Sequence, residues 1–300
     1  MARSIIIKAP AKVNLGLAVL GRRADGYHDL NSIMQQISLS DTLVLTPRLR
    51  QGWEFFCTEP SLAGESNLVC RAAALLSREA GCRLPGVRIT LFKQIPVEAG
   101  LGGGSSDAAA ALFALNRFWG LNFTLHKLLD LGAQLGSDVP FCLYGGTVQV
   151  MGRGEILEPL PPLPFHWVVV AVPAGLRLST PAVYRSLVLG RQSVPPINDL
   201  AGAIKEGDCA RIGLWFQRES VNTLEEAVLP ACAPVAALKH RFKEMGLSPA
   251  MSGSGPSVFA LVESYSVASM AVRSLLEEGT RAFLCWTVPG NFRKDGVENV

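Results

Sequence analysis

No CxxC pair occurs among the seven cysteines (Cys57, Cys70, Cys82, Cys142, Cys209, Cys232, Cys285), and the four histidines stand outside HxxxH or HExxH spacing. That scatter supplies neither a disulfide framework nor a structural zinc site, and it suits a reducing compartment. Long hydrophobic runs are missing too. The longest, Trp167 to Leu176, is broken by Pro173 and falls short of the ~18 residues that span a bilayer. Residues Met1 to Leu15 hold an Ile run but no apolar core of the length a signal peptide carries. Charge of one sign is scarce: 28 Lys+Arg against 25 Asp+Glu leave a formal +3, too little for a nucleic-acid or membrane-surface footprint. The expectation is a soluble cytoplasmic protein. With 49% apolar and only 18% charged residues the chain is not disordered, and 300 residues allow two domains at about 150 each.

The segment Lys12 to Leu20 alternates, with Val13, Leu15, Leu17 and Val19 on one face and Lys12, Asn14, Gly16 and Ala18 on the other, the period of a strand. Further strands are expected near Ile33–Leu39, Thr42–Leu45 and Val87–Phe92. Helices are expected over Asn67–Ala80 with Gly81 as stop, over Ala108 to about Arg117 after the cap-type residues Ser105, Ser106 and Asp107, and over Leu125–Leu135. Strands in runs and helices in runs suggest α+β. Four prolines between Pro159 and Pro164 mark a linker, dividing the chain into 1–158 and 159–300. Beyond it the pattern predicts a strand at Trp167–Val172 and helices near Thr180–Leu187, Ile197–Lys205 and Pro234–Met245. A strand at Ser257–Val262, a helix at Val267–Glu278 and a strand at Ala282–Val288 follow.

Gly100 to Gly104 stand before a helix N-terminus, where free amides and the helix dipole favour an anion, and glycine lets a phosphate approach the backbone. Ser105 and Ser106 add hydroxyls. The loop is neither a Walker A nor a Rossmann motif, and by itself it reads equally as an anion cradle or as a tight turn. Lys12 and Asn14 share one strand face, which fits a site or a solvated surface. Asp138, after a helix stop, fits a base or a turn residue. The loop Met251 to Pro256 fits a second anion contact or a turn.

Taken in order, Pro10-Ala11-Lys12-Val13-Asn14-Leu15, Arg22 to His28, Pro96 to Ala109, Gly136 to Phe141 and Met251 to Phe259 resemble the GHMP kinase superfamily, and more narrowly its branch marked by Arg-Ala-Asp-Gly-Tyr-His. The resemblance implies a two-domain fold, with an N-terminal domain like domain 2 of ribosomal protein S5 and a ferredoxin-like C-terminal domain. It implies ATP-dependent phosphorylation of the 2-hydroxyl of a diphosphocytidyl methylerythritol, on the non-mevalonate route to isoprenoid precursors. Lys12 and Asp138 would then be catalytic. ATP would lie against Asn67, Lys93, Pro96, Val97, Glu98, Ala99, Gly100, Leu101, Gly102, Gly103, Gly104, Ser105 and Ser106. The acceptor would lie against Asn14, Tyr27, His28, Thr180 and Tyr184, with Tyr27 and Tyr184 as flat surfaces for the base and His28 reading its edge. Glu98-Ala99 departs from the small residues many relatives carry, and a carboxylate there repels phosphate unless it points away. Magnesium is expected with ATP, no protein metal ligands are read, and a monomer or weak homodimer without nucleic-acid or membrane partners is expected. A sibling kinase such as one for homoserine or mevalonate is the first rival, and a non-catalytic nucleotide-sensing or RNA-binding protein of S5-like fold the second.

Overall fold

The computed structural model describes residues 4–188, 194–290 and 297–299. In chain order the elements are β1 (Ile5–Arg22), β2 (His28–Arg48), β3 (Trp53–Cys57), α1 (Leu68–Ala80), β4 (Gly86–Phe92), α2 (Gly103–Phe118), α3 (Leu125–Leu135), α4 (Val139–Tyr144), β5 (Thr147–Gly152) and β6 (Ile156–Pro159). There follow β7 (Trp167–Val172), α5 (Thr180–Ser186), α6 (Ile197–Glu206), α7 (Cys209–Trp215), α8 (Glu225–Val228), α9 (Ala233–Glu244), β8 (Ala250–Met251), β9 (Val258–Val262), α10 (Tyr265–Glu277), β10 (Arg281–Trp286) and β11 (Val297–Asn299).

The first sheet runs β11-β1-β2-β4-β3, with β5 also on β2 and β6 on β5. Its pairs are antiparallel except β3 with β4. β2 is long enough to serve two partners: Leu30 to Gln35 pairs with β5, and Thr42 to Arg48 with β4. The two strands expected within it are therefore one. The second sheet is antiparallel in the order β10-β7-β9-β8, the 4-1-3-2 order of a ferredoxin-like βαββαβ unit, here enlarged by extra helices between β7 and β8. The fold is α+β, as expected.

Three apolar clusters hold these layers. Helices α1 to α4 close over one face of the first sheet, around Leu43, Leu45, Leu76, Ile89 and Leu91. The second cluster joins the two halves: Ala11, Val13 and Leu15 of β1 meet Val168 and Val170 of β7, Ile197 and Leu200 of α6, and Trp215 of α7. The third packs α9 and α10 against the second sheet. Side chains on both faces of β1 are thus buried, so the reading of the Lys12 face as a solvated surface is overturned. Lys12 is 4% exposed and Asn14 fully buried. The proline-rich stretch is packed rather than loose, with Leu160 and Leu163 buried and their amides bonded to Thr147 O and Oγ1. Pro159 itself is the last residue of β6, and β11, late in the chain, pairs with β1 of the first sheet.

Candidate active site

The loop from Lys93 to Gly102 leads from β4 into α2, and two glycines give it its shape. Gly100 and Gly102 have φ of 75° and 69°, left-handed values that disfavour any side chain. A Cβ on Gly102 would lie 2.9 Å from Lys12 Cγ. Gly102 caps α2, and the first intrahelical bond is Ser106 N to Gly102 O at 2.9 Å. The amides of Gly103, Gly104 and Ser105 precede that bond and point out of the helix end, at the positive pole of a 16-residue helix. Ser105, Ser106 and Asp107, expected as caps, lie inside the first two turns instead, because glycine at 102 already supplies the turn. Glu98 takes φ 53° and is exposed at the rim of the cleft.

The Met251–Pro256 loop braces this one. Ser252 Oγ donates to Gly100 O at 2.9 Å and Ser257 Oγ to Ala99 O at 2.5 Å. A Cβ on Gly100 would lie 2.1 Å from Ser252 O. The loop joins β8 to β9 as a turn and packs against the first loop. Its tip also reaches the catalytic candidates, since a Cβ on Gly253 would lie 3.2 Å from Lys12 Nζ.

Lys12 Nζ lies 3.6 Å from Asp138 Oδ2 and donates to Asn14 Oδ1 at 2.7 Å. Asn14 Nδ2 donates to Ser32 Oγ at 2.8 Å, and Ser32 Oγ to Gly16 O at 2.7 Å. This chain fixes the ammonium from β1 and β2 together. Lys12 N also donates to Leu101 O at 2.9 Å, which ties the strand to the glycine loop. Asp138 precedes α4, but its side chain makes no capping bond, so the carboxylate is left facing the cleft.

On the far wall, the His28 and Tyr184 rings stand 5.0 Å apart at 36°. Burial, and then the charge of Asp138, raise the Tyr184 hydroxyl above its ordinary pKa, so it stays a neutral donor. Burial and Arg22 push His28 below its ordinary value. Tyr27 is 54% exposed with the Arg153 guanidinium 5.2 Å over its ring. The ring beside Tyr184 is thus that of His28, and Tyr27 lines the same cleft. Thr180 Oγ1 and Ser254 Oγ share a hydrogen bond of 2.8 Å.

One cleft of about 1420 Å³ joins these walls. It takes in every expected site residue except Ser106, whose hydroxyl is buried without a partner. Asn67 lines it while capping α1, accepting from Val69 N at 2.9 Å. Lys93 lines it as well, but its ammonium is committed, bonded to Asp41 and to Asp107 Oδ2 at 2.8 Å. Burial, opposed by Lys93 and reinforced by Asp41, pushes the Asp107 carboxyl up to about 8. Ser32, Arg153, Ser254 and Asp107 belong to the cleft lining but not to the sequence-based list. Asp107 carried a signal, standing next to the serines, whereas Arg153 had none.

The chain matches the family models for the GHMP kinases N terminal domain over residues 67–146 and GHMP kinases C terminal over 200–280. It is 44% identical over 260 residues to a 4-diphosphocytidyl-2-C-methyl-D-erythritol kinase of Geobacillus thermodenitrificans, covering 86% of this chain and 88% of that one. It is 41% identical over 288 residues to the enzyme of that name from Gloeothece citriformis, covering 90% of each. A crystal structure of a 4-(cytidine 5'-diphospho)-2C-methyl-D-erythritol kinase superposes with a TM-score of 0.78 at 38% identity, over 94% of this chain and 98% of that one. A homoserine kinase from Cytophaga hutchinsonii shares the fold, with a TM-score of 0.76 at 20% identity over 99% of this chain and 98% of that one. With two glycine loops locked together beside a lysine–aspartate pair, and with relatives of this closeness along nearly its whole length, the chain belongs to the GHMP kinase family, in its 4-diphosphocytidyl-2-C-methyl-D-erythritol kinase branch.

Proposed function

We propose that this protein transfers the γ-phosphoryl group of ATP to the 2-hydroxyl of 4-diphosphocytidyl-2-C-methyl-D-erythritol. The observation that carries the reading is the position of the Lys12–Asp138 pair. It lies in one cleft between the amide-bearing start of α2 and the wall formed by His28 and Tyr184. ATP phosphates bind the amides of Gly103 to Ser105, and the cytidyl acceptor lies toward His28, Tyr184 and Tyr27.

Phosphoryl transfer passes through a loose transition state, so the protein contributes positioning and charge more than covalent chemistry. Asp138 orients the acceptor hydroxyl. As the oxygen–phosphorus bond forms and the bond to ADP breaks, the hydroxyl acidifies and its proton passes to Asp138, then to solvent. Lys12 holds that carboxylate in place and offsets charge on the transferring group. Its own geometry is set by Asn14 and Ser32.

Among the described residues no three His, Cys, Asp or Glu side chains gather as a metal site, and Asp41 and Asp107 are held by Lys93. The donor set does not fit a protein cage for magnesium. The ion expected with ATP travels with the phosphates as part of the co-substrate, keeping several waters as Mg²⁺ usually does. No helix among the described residues is long and apolar enough to cross a membrane, and both substrates are water-borne small molecules.

A turnover assay with ATP and a panel of acceptors tests the reading. The cytidyl compound is expected to be phosphorylated, homoserine and mevalonate not. Turnover of either of those in preference to the cytidyl compound overturns the acceptor assignment.

A further inference from the structure

Behind the phosphate-loop amides lies a cluster to which the proposed mechanism gives no role. Asp41 on β2, Lys93 after β4 and Asp107 on α2 bring two carboxylates to one ammonium, and all three side chains are at most 7% exposed. A Cβ on Gly103 would lie 3.2 Å from Lys93 Nζ, so the cluster sits directly under the first helical residue of α2. Lys93 and Asp107 both face the cleft.

The two carboxylates are unequally supplied with donors. Asp41 Oδ1 accepts from the amides of Gln94 at 2.5 Å and Ile95 at 2.9 Å, and its Oδ2 takes Lys93. Asp107 has Lys93 alone on Oδ2, and its Oδ1 is buried with no partner. A buried ionised carboxylate without donors is costly, and a proton removes that cost. With both ionised the cluster is net negative, next to amides that are to receive a polyanion. Like charges brought together where water is scarce repel strongly. Of the two carboxylates, Asp41 has three donors and Asp107 only the ammonium it shares with Asp41.

We propose that Asp41, Lys93 and Asp107 are part of the nucleotide site, and that ATP binding is accompanied by uptake of one proton from solvent onto Asp107. The inference rests on the reading of the Gly100–Ser105 loop as an ATP site. Among the described residues, the other titratable groups facing the cluster are Cys57 of β3, Cys142 of α4 and, toward Lys93, Glu59. Burial raises both thiols, which keeps them neutral, and hydrogen bonds from Ser61, with the charges of Arg177 and Lys93, lower Glu59, which keeps it charged. None of the three competes for the proton. Uptake on binding means that the ATP complex holds the proton to higher pH than the free protein does. Affinity is therefore constant where Asp107 is already protonated and falls as pH rises beyond that range, by about tenfold per pH unit when uptake is complete.

Titration calorimetry of ATP with excess magnesium and no acceptor, in buffers of different ionisation enthalpy between about pH 7 and 10, counts the protons. The wild-type chain is expected to take up an increasing fraction of a proton per ATP with rising pH, approaching one. Asp107→Asn, which copies the shape of the neutral acid, is expected to bind ATP without uptake and with a Kd independent of pH over this range. Asp41→Asn leaves Lys93 to Asp107 alone and is expected to lose the uptake although Asp107 remains. Should that variant fail to fold, Asp107→Asn carries the test. Wild-type binding without proton uptake, or uptake retained in Asp107→Asn, overturns this inference and leaves the kinase reading standing. Failure of the wild-type chain to bind ATP overturns both.

Discussion

His28 and Tyr184 come from opposite halves of the chain, and their rings meet at 5.0 Å. A cytosine ring has a flat face that such side chains contact with little discrimination, and an edge whose hydrogen bonds discriminate strongly. The diphosphocytidyl group is remote from the reacting hydroxyl, so its binding energy serves positioning. Tyr184→Ala is therefore expected to raise the KM for the cytidyl substrate while the KM for ATP changes little, and Tyr27→Ala to do the same to a smaller extent, because Tyr27 is half exposed. Steady-state kinetics with each substrate varied in turn checks both. A KM for ATP that rises as much as that for the acceptor contradicts the placement. A uridine analogue, differing only at the base edge, is expected to be a far poorer acceptor, and equal turnover of the two would show that the edge is not read.

Helix α2 gains its role from the turn that precedes it. Gly100→Ala forces a Cβ to within 2.1 Å of Ser252 O at a left-handed φ. It is expected to cost about 1–3 kcal/mol, the usual penalty of overpacking, and to weaken ATP binding by separating the two loops. Gly103→Val adds bulk where even a Cβ would lie 3.0 Å from Ile95 Cγ2 and where a phosphate approaches. It is expected to weaken ATP far more than the acceptor. Melting curves alongside ATP and acceptor titrations separate the two variants, and equal loss of both ligands in Gly103→Val contradicts the cradle. Much at this scale was legible in the sequence. The strand Trp167–Val172 and the helix Leu125–Leu135 fall where periodicity and stop glycines put them. Short or mixed segments were not. β3, α7 and α8 carry no clean period of two or 3.6, and α4 follows Asp138 in a run whose apolar residues are almost all buried. The interior fate of Lys12 was invisible because the residues that close over it, Leu101, Gly102, Asp138 and Gly253, come from separate and distant parts of the sequence. Asp41 lay beyond reach for the same reason, since its partners Lys93 and Asp107 gather around it only when β2, β4 and α2 pack.

At the scale of the molecule, the cleft exists because the halves share a core. Trp215 Nε1 donates to Leu15 O at 2.8 Å, and a Cβ on Gly16 would lie 2.8 Å from Ile197 Cδ1. We propose the division at 158/159 as a boundary of architecture rather than of independent folding. Residues 1–158 alone would expose Ala11, Val13 and Leu15, so that fragment is expected not to fold by circular dichroism, and the whole chain to unfold in one thermal transition. Two resolved transitions in calorimetry would show that the halves fold apart. Trp215→Ala, which removes a buried ring from this junction, is expected to cost about 3–5 kcal/mol. The assembled cleft has one chemical purpose in this account, to set Asp138 and Lys12 beside both substrates. Asp138→Asn keeps the shape of the side chain and removes the base, and a single comparison of its kcat and its Kd for ATP with those of the wild type tests that purpose. The account predicts a fall in kcat of about 10²-fold or more, the usual worth of a general base, with the Kd for ATP unchanged. A variant that turns over at the wild-type rate would contradict it.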